Sequence, residues 1–391
     1  MRLSKIRDIV FIVVCPLCER DFRRFGIELL EKNGFNVKVW DITAALYPEV
    51  SERYIVPDPV NWQGCRVFDD ISSASFAIAR LDNETLIVTT FHYLRDRYHI
   101  WKAISDSKAE YVIYAADNFN IRMDDSRKTA LFYLKKLKHL TLGKFLDRIF
   151  PRLPLSLIGI KPARLVLIGG RDSIKNLKLM KNGTEVICAH ASDYDLYLKE
   201  KATSPRKSST AVFLDGYMPF HINWTYANID SPVKPENYYP LLNRFFDRVE
   251  KELNFKVIIA AHPRSDYKNL IDYFKGRECV IGNTVKLVKE ADLILSHHSA
   301  ALNFANLFYK PVCFITTREL NQSFKGASVR IMAGLFGKKP IFIDEDKKID
   351  WTSELSVTRA YYDNYRNAYI KVLGSEEDFM WQIFSNKLKE D

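Results

Sequence analysis

The sequence predicts an α/β protein with two domains built on parallel sheets, and two observations support this prediction. Short apolar runs with the composition of buried strands alternate with amphipathic helical segments, a pattern typical of β-α-β units. The chain has 391 residues, which is too many for one ordinary core and suits two. Hydrophobic residues make up 47% of the chain, so both domains can be well packed.

The first half of the chain predicts a Rossmann-like domain over 1–200. Its predicted strands are 9–14, 36–40, 85–90, 111–115, 164–168 and 185–188. Its predicted helices are 19–32, 72–80, 94–106 and 173–180. The polar segment 199–210, with Pro205 and a cluster of Ser and Thr, is typical of a linker between domains.

The second half repeats this organisation and predicts another Rossmann-like domain over 211–350. The predicted strands are 211–214, 256–260, 279–281, 292–295, 311–316 and 340–344. The predicted helices are 238–253, 267–274, 284–290 and 300–308. Helical segments are predicted for the remaining residues, 351–391.

A net charge of +10 predicts an anionic partner, and most of the excess lies in a basic insertion over 127–164, which has ten Lys or Arg and one acidic residue. Apolar residues are interleaved among these charges. The segment is therefore either a basic amphipathic region that binds an anionic membrane surface or a solvated helical pair that packs on the first domain. Nucleic acid is not expected, because no nucleic-acid-binding motif accompanies the charge. The apolar run 9–14 is too short for a signal peptide or a membrane span, so we expect a cytoplasmic protein that is soluble or attached peripherally to the inner face of the membrane.

Three short motifs each follow a predicted strand of the second half, where ligands bind in open α/β sheets. Asp215-Gly216 offers a carboxylate that can accept a proton and a glycine that allows close approach. His262-Pro263 offers an imidazole that can donate to a phosphate, in a turn that proline makes rigid. Taken alone, these motifs have ordinary alternatives: a tight turn for the first and a structural hydrogen bond for the second.

The third motif, Ser296-His297-His298-Ser299, opens the predicted helix 300–308. Hydroxyls and unpaired N–H groups at the start of a helix suit a phosphate, whereas Ser299 as a simple N-cap is the ordinary alternative.

The order Asp-Gly, His-Pro and Ser over 211–316 resembles the bacterial sialyltransferases and related capsule transferases. These enzymes use CMP-activated 3-deoxy-2-ulosonic acids of sialic, Kdo and pseudaminic type. The resemblance implies a GT-B fold, in which two Rossmann-like domains face a central cleft and the C-terminal helices, here 351–391, pack back across both. The chain departs from the family pattern at Leu214, where a second acidic residue is common, and in the predicted helix 300–308, which has no carboxylate.

The resemblance implies an inverting, metal-independent glycosyltransferase of bacterial surface polysaccharide synthesis, with no cofactor beyond the CMP-sugar donor. Asp215 would be the general base and His262 would bind the departing CMP phosphate. The expected nucleotide-binding residues are Gly216, His262, Pro263, Arg264, Ser296, His298, Ser299 and Ala300.

The acceptor would be a glycan or a lipid-linked glycan bound by the first domain. Candidate acceptor contacts at its strand ends are His92, Tyr93, Asp117 and Asn118. Three alternatives remain open: a CDP-alditol phosphotransferase, a UDP-sugar transferase or epimerase of similar architecture, and a non-catalytic subunit that binds a nucleotide sugar.

Overall fold

The computed structural model describes residues 3–51, 56, 58–118, 142–204, 208–221, 224, 229–267 and 271–390. The described residues form two compact units. Unit 1 comprises those up to 192 together with those from 371 onward, and unit 2 comprises 193–370. The prediction of two α/β units with parallel sheets is confirmed.

The sheet of unit 1 has the order β3-β2-β1-β4-β5-β6-β7 among its described strands, and every pairing is parallel. The strands are β1 Asp8–Val13, β2 Asn36–Asp41, β3 Cys65–Val67, β4 Thr85–Thr89, β5 Glu110–Ala115, β6 Leu165–Ile168 and β7 Glu185–Cys188. The short edge strand β3 was not predicted, because two of its three residues are exposed and it lacks an apolar run.

Helices cover both faces of this sheet, as its near-continuous apolar strands require. Along β1, Ile9 and Phe11 enter one hydrophobic cluster, whereas Val10 and Ile12 enter another on the opposite face. The C-terminal helix Met380–Glu390 packs into the first cluster through Trp381, whose indole N–H donates to the Arg24 carbonyl oxygen at 2.7 Å. Burial of this aromatic face attaches the end of the chain to unit 1.

The sheet of unit 2 has the order β10-β9-β8-β11-β12-β13 among its described strands, again with parallel pairing. The strands are β8 Thr210–Leu214, β9 Lys256–Ala260, β10 Cys279–Val280, β11 Leu293–Ser296, β12 Val312–Thr316 and β13 Ile341–Phe342. Leu214 is paired in register with Ala260 on one side and Ser296 on the other, so three strands end at the same level.

The helices alternate with these strands. In unit 1 they are Glu19–Arg24, Ile27–Lys32, Thr43–Leu46, Pro48–Ser51, Ile71–Ala79, Tyr98–Asp106, Leu142–Ile149 and Met380–Glu390. The helix Ser192–Glu200 begins at a residue of unit 1 and continues in unit 2. In unit 2 they are Pro235–Leu253, Thr284–Glu290, Leu302–Leu307, Arg318–Gln322, Gly326–Leu335, Trp351–Glu354 and Arg359–Tyr365, followed by a π-helical turn at Arg366–Ile370. No described helix has both the length and the apolar character that a membrane span needs.

Four predicted helices differ from the structure, and three of them are split, replaced by a 3-10 turn or shortened. The helix predicted over 19–32 is split by Gly26, which adopts a left-handed φ of 56°. The helix predicted over 173–180 is a short 3-10 turn at Arg171–Ile174, and Asn176 follows with a φ of 65°. The helix predicted over 300–308 is shorter, Leu302–Leu307.

The segment predicted as a helix over 267–274 has turn and irregular conformations at its described residues. The Asp272 carboxylate accepts the backbone N–H groups of Phe274 at 3.1 Å and Gly276 at 2.6 Å. An aspartate that bonds to nearby N–H groups in this way offers the backbone an alternative to the helix.

The division between units lies one residue into the helix Ser192–Glu200, and the predicted linker 199–210 overlaps the last two residues of that helix. Lys289 of unit 2 donates to the carbonyl oxygens of Glu200, at 2.5 Å, and Thr203. The first part of the predicted linker is therefore docked on unit 2. The predicted C-terminal region 351–391 is divided at Lys371, where unit 1 resumes.

We predict that Gly26→Ala destabilises unit 1 far more than Gly34→Ala. Both glycines have positive φ, but a Cβ on Gly26 would lie 2.4 Å from Trp381, whereas one on Gly34 meets nothing within 4 Å. The left-handed backbone costs about 1 kcal/mol at either position, and overpacking adds about 1–3 kcal/mol at Gly26 alone. Urea denaturation of both variants measures the difference in their free energies of unfolding. Equal losses would show that the Trp381 ring moves aside at no energetic cost.

Candidate active site

The three motifs of the second half meet at one edge of the unit 2 sheet. Strands β9, β8 and β11 are adjacent and parallel, and they end at Ala260, Leu214 and Ser296. Asp215 follows β8, and its own backbone N–H donates to the Ala260 carbonyl oxygen at 3.1 Å. The carboxyl ends of three neighbouring strands thus carry a carboxylate, an imidazole and a hydroxyl cluster, in the position where open α/β sheets bind ligands.

Asp215 is almost completely buried, with 4% of its surface exposed. Its Oδ1 accepts the backbone N–H of Tyr217 at 3.0 Å, and its Oδ2 accepts the Tyr267 hydroxyl at 2.9 Å. The backbone N–H of His262 also donates to this carboxyl group. Burial raises the pKa of Asp215 to about 6, although all three hydrogen bonds act to lower it.

The turn that carries Asp215 contains a strained residue. Tyr217 has a φ of 49°, in the left-handed region that bulky side chains rarely adopt. Its N–H bond to Asp215 and the packing of its ring on Tyr267, at a centroid distance of 5.2 Å, hold it there. Backbone strain of this kind concentrates at functional sites, where the surrounding structure enforces it.

His262 lies half-buried beside a second histidine, His221, with ring centroids 4.8 Å apart. Its Nδ1 accepts the backbone N–H of Arg264 at 3.1 Å, so in the neutral ring the proton is on Nε2. Its carbonyl oxygen accepts both the backbone N–H of Ser265, at 2.9 Å, and the Ser265 hydroxyl, at 2.7 Å. The turn after β9 is therefore fixed by hydrogen bonds and orients a single imidazole N–H donor.

The positive charges of Arg264 and Lys325 help to lower the pKa of two histidines near this edge, His221 and His298. Burial, followed by the charges of Arg264 and Lys325, lowers the pKa of His221 to about 4. Burial and the charge of Lys325 likewise lower the pKa of His298 to about 4. Both rings are consequently neutral at physiological pH, and the ring N–H of His298 donates to its own backbone carbonyl oxygen. Together with the two cations, they create an environment that favours an anion.

The four residues Ser296-His297-His298-Ser299, which begin with the last residue of β11, have different roles. His297 is buried, and its ring nitrogens contact the Ile315 carbonyl oxygen at 2.6 Å and the Tyr238 hydroxyl at 2.9 Å. It therefore links the end of β11 to β12 and to the helix Pro235–Leu253. The Ser296 hydroxyl is fully buried and has no hydrogen-bond partner among the described residues. His298 and Ser299 are half-buried, and Ser299 Oγ accepts the backbone N–H of Ala301 at 3.2 Å.

The remaining predicted nucleotide contacts lie around this edge. Gly216 is half-buried with a φ that other residues adopt, and a Cβ there would meet only Met218, at 3.6 Å. Pro263 and Ala300 are exposed and Arg264 is half-buried. Among the residues that the structure describes, no group of three or more His, Cys, Asp or Glu side chains is arranged to hold a metal ion.

The four predicted acceptor contacts lie in unit 1, after the adjacent strands β4 and β5. His92 is exposed and Asn118 is half-buried. The Tyr93 ring packs on Trp101 and Phe150, and burial raises the pKa of its hydroxyl to about 12. An acceptor contact through these residues stays a prediction.

Asp117 has internal partners on both carboxylate oxygens. The Arg24 guanidinium and the Tyr114 hydroxyl donate to Oδ2, and the backbone N–H and hydroxyl of Ser192 donate to Oδ1 at 2.8 and 3.0 Å. Although burial alone would raise its pKa, the charge of Arg24 and these bonds lower it. The carboxylate is thus engaged in the packing of unit 1.

Part of the basic insertion, 127–141, lies outside the described residues. In the described part, Lys161 donates to the Ala109 carbonyl oxygen at 2.6 Å and Arg164 forms an ion pair with Glu185. These two cations are used within unit 1, and membrane binding by 127–164 stays a prediction.

Sequence reasoning missed His221, Tyr267 and Lys325. His221 lies in the same connection as Asp215, and Tyr267 lies in the same connection as His262, so proximity along the chain was the available signal. Lys325 precedes the helix Gly326–Leu335, and no nearby motif marks it.

Comparison with solved structures identifies the architecture. The wall teichoic acid polymerase TagF aligns with 100% of this chain and 90% of its own, at 10% identity and a TM-score of 0.52. A protein assigned as UDP-N-acetylglucosamine 2-epimerase from Listeria monocytogenes aligns with 96% of this chain and 94% of its own, at 10% identity and a TM-score of 0.51. The chain has a GT-B-like fold. No protein-family model and no curated protein sequence matches it, so membership of the sialyltransferase-like family stays a prediction.

We predict that Asp215 makes the stability of the protein fall as pH rises from 4 to 7. The pKa is about 6 in the folded protein against 3.8 for an unperturbed aspartate, so the folded state binds more protons over this interval. The loss amounts to about 3 kcal/mol. Urea denaturation measures the free energy of unfolding across this pH range. Between pH 4 and 7 that of Asp215→Asn should rise by this amount relative to that of wild type, whereas that of Asp346→Asn, at an exposed position, should not. A gap between Asp215→Asn and wild type that does not change with pH would contradict the raised pKa.

Proposed function

We propose that this protein is an inverting glycosyltransferase that moves an acidic 3-deoxy-2-ulosonic sugar from a CMP-activated donor to a hydroxyl of a glycan or lipid-linked glycan. The product would belong to a bacterial surface polysaccharide. The observation that supports the proposal is the meeting of Asp215, His262 and His298 at the carboxyl ends of β8, β9 and β11, where Lys325 acts on His298 and both Arg264 and Lys325 act on the neighbouring His221.

The imidazoles and cations are suited to hold the CMP phosphate. The Nε2–H of His262 donates to a phosphate oxygen, while Arg264 and Lys325 offset the negative charge. A bound phosphate would raise the lowered pKa of His298, so the ring can take a proton from solvent while the phosphate is bound, and its positive charge then offsets the charge that develops on the departing CMP. In this way the protein stabilises the leaving group with its own side chains.

Asp215 is the proposed base. The acceptor oxygen forms a bond to the anomeric carbon, the bond from that carbon to the phosphate oxygen breaks, and the acceptor proton passes to Asp215 as CMP leaves. A pKa of about 6 leaves the carboxylate ionised at neutral pH yet basic enough to take a proton. The role requires the acceptor hydroxyl to replace the Tyr267 hydroxyl at Oδ2.

A CDP-alditol phosphotransferase is the second candidate, and the burial of Asp215 favours it. The carboxylate is 4% exposed, whereas His262 and His298 are half-buried. In a phosphotransferase an imidazole would deprotonate the acceptor alcohol, the alcohol oxygen would bond to phosphorus, and CMP would again leave. Both candidates therefore share a CMP site and differ in the atom attacked.

We predict that CMP stabilises the protein against heat and that His262→Asn weakens this effect. At about 100 times its Kd, a ligand contributes about 2.7 kcal/mol to apparent stability. Loss of one hydrogen bond to a charged phosphate costs about 1.5–3 kcal/mol, which corresponds to roughly a 10- to 150-fold weaker Kd. His99→Asn, at an exposed position of unit 1, is the matched control and should bind CMP as wild type does. Equal CMP affinity in His262→Asn and wild type would remove His262 from the phosphate site.

We predict that Asp215→Asn lowers turnover of CMP-N-acetylneuraminic acid by about 100-fold or more while CMP binding is retained, because a general base is lost. Tyr267→Phe, which removes the hydroxyl at Oδ2 without removing the carboxylate, should keep measurable transfer. The same proteins are assayed with CDP-glycerol. If only CDP-glycerol turns over, and Asp215→Asn leaves its rate intact, the protein is the phosphotransferase.

A further inference from the structure

Unit 2 contains an open cavity of about 820 Å³ beside the candidate phosphate site. It lies between the connection that follows β8 and the segment before the helix Gly326–Leu335. The residues that give it its chemical character are His221, Trp224, Ile229, Asp230, Ser231 and Phe324. Because the His221 and His262 rings lie 4.8 Å apart, a ligand in this cavity is next to whatever His262 binds.

One wall of the cavity is a fixed aromatic surface. The Trp224 indole N–H donates to the Met218 carbonyl oxygen at 2.8 Å, which sets the orientation of the ring. Phe324 packs edge-on against the Trp224 ring at a centroid distance of 5.3 Å, and the Lys325 ammonium lies 5.2 Å from the centroid of the Trp224 ring. Phe324 remains 46% exposed and Ile229 44% exposed. Large apolar groups that stay exposed but are held in place indicate a binding surface.

Besides His221, the polar groups that give the cavity its character are hydrogen-bond acceptors. Asp230 is an exposed carboxylate. The Ser231 hydroxyl donates within unit 2, to the Val233 carbonyl oxygen at 2.8 Å, and its oxygen accepts the Val233 backbone N–H at 3.4 Å, which leaves one lone pair able to accept. Acceptors beside an aromatic face suit a ligand with apolar C–H groups on one face and hydroxyl donors at its edge, and a pyranose ring has both.

We propose that this cavity is a pyranose-binding subsite adjacent to the phosphate site, with Trp224 and Phe324 contacting the sugar ring and Asp230 accepting its hydroxyls. The position of the subsite in the reaction rests on the proposed function. The pyranose is either the sugar of the donor or the terminal sugar of the acceptor, and the charge of the preferred sugar distinguishes them.

The test uses saturation-transfer NMR on the full chain with two probes, neutral lactose and acidic N-acetylneuraminic acid, each with and without CMP. We expect at least one probe to receive saturation, and Phe324→Ala and Trp224→Ala to reduce it at least fivefold. Phe76→Ala, which removes a ring that is 60% exposed in unit 1, is the matched control and should leave the signal unchanged. Thermal stabilisation by CMP is measured on every variant and confirms folding and an intact phosphate site.

The outcomes separate this proposal from the proposed function. A lactose signal assigns the subsite to the acceptor, and an N-acetylneuraminic acid signal assigns it to the donor. The subsite is overturned if neither probe binds, if Phe324→Ala leaves the signals intact, or if Phe324→Ala weakens CMP binding as strongly as His262→Asn does, which would place the nucleotide base in the cavity. If CMP fails to stabilise wild type while sugar binding still depends on Phe324, the proposed function falls and the subsite stands.

Discussion

The arrangement of the candidate site depends on the buried carboxylate of Asp215. Its three donors come from its own turn, from the turn after β9 and from Tyr267, so one side chain ties together connections that are distant in sequence. Its pKa remains above the usual value despite these bonds, which shows that desolvation outweighs them. A carboxylate held at a net cost is unusual for a purely structural residue and is common at functional sites.

The histidines of unit 2 illustrate how one residue type serves two purposes at the same sheet edge. His297 is buried, and both of its nitrogens are engaged within unit 2, so it contributes to packing. His298 is its neighbour in sequence, yet it is half-buried and lies in the field of Lys325. Both residues follow the end of β11, so the local turn sends one ring into the core and leaves the next near the surface.

The strands and the meeting of the three motifs were predictable because both follow from local pattern and parallel pairing. Runs such as Lys256–Ala260 are apolar enough to be recognised, and parallel register then brings their ends level. The break at Gly26 was not predictable from periodicity, because the apolar spacing continues through it and the contact with Trp381 arises from the far end of the chain. Lys325 and the internal role of Asp117 likewise depend on partners that only the folded chain brings close.

The distance between the base and the phosphate-binding groups distinguishes the two candidate reactions. In an inverting displacement at carbon, the acceptor attacks from the face opposite the departing phosphate, so the sugar ring separates the base from the groups that bind the phosphate. In an attack on phosphorus, base and phosphate-binding groups lie side by side. The Asp215 carboxyl accepts the backbone N–H of His262, so these two residues are in direct contact. Glycosyl transfer therefore requires the imidazole ring of His262 to reach the phosphate on the side away from Asp215. The contact of that ring with His221, which borders the adjoining cavity, is consistent with that direction.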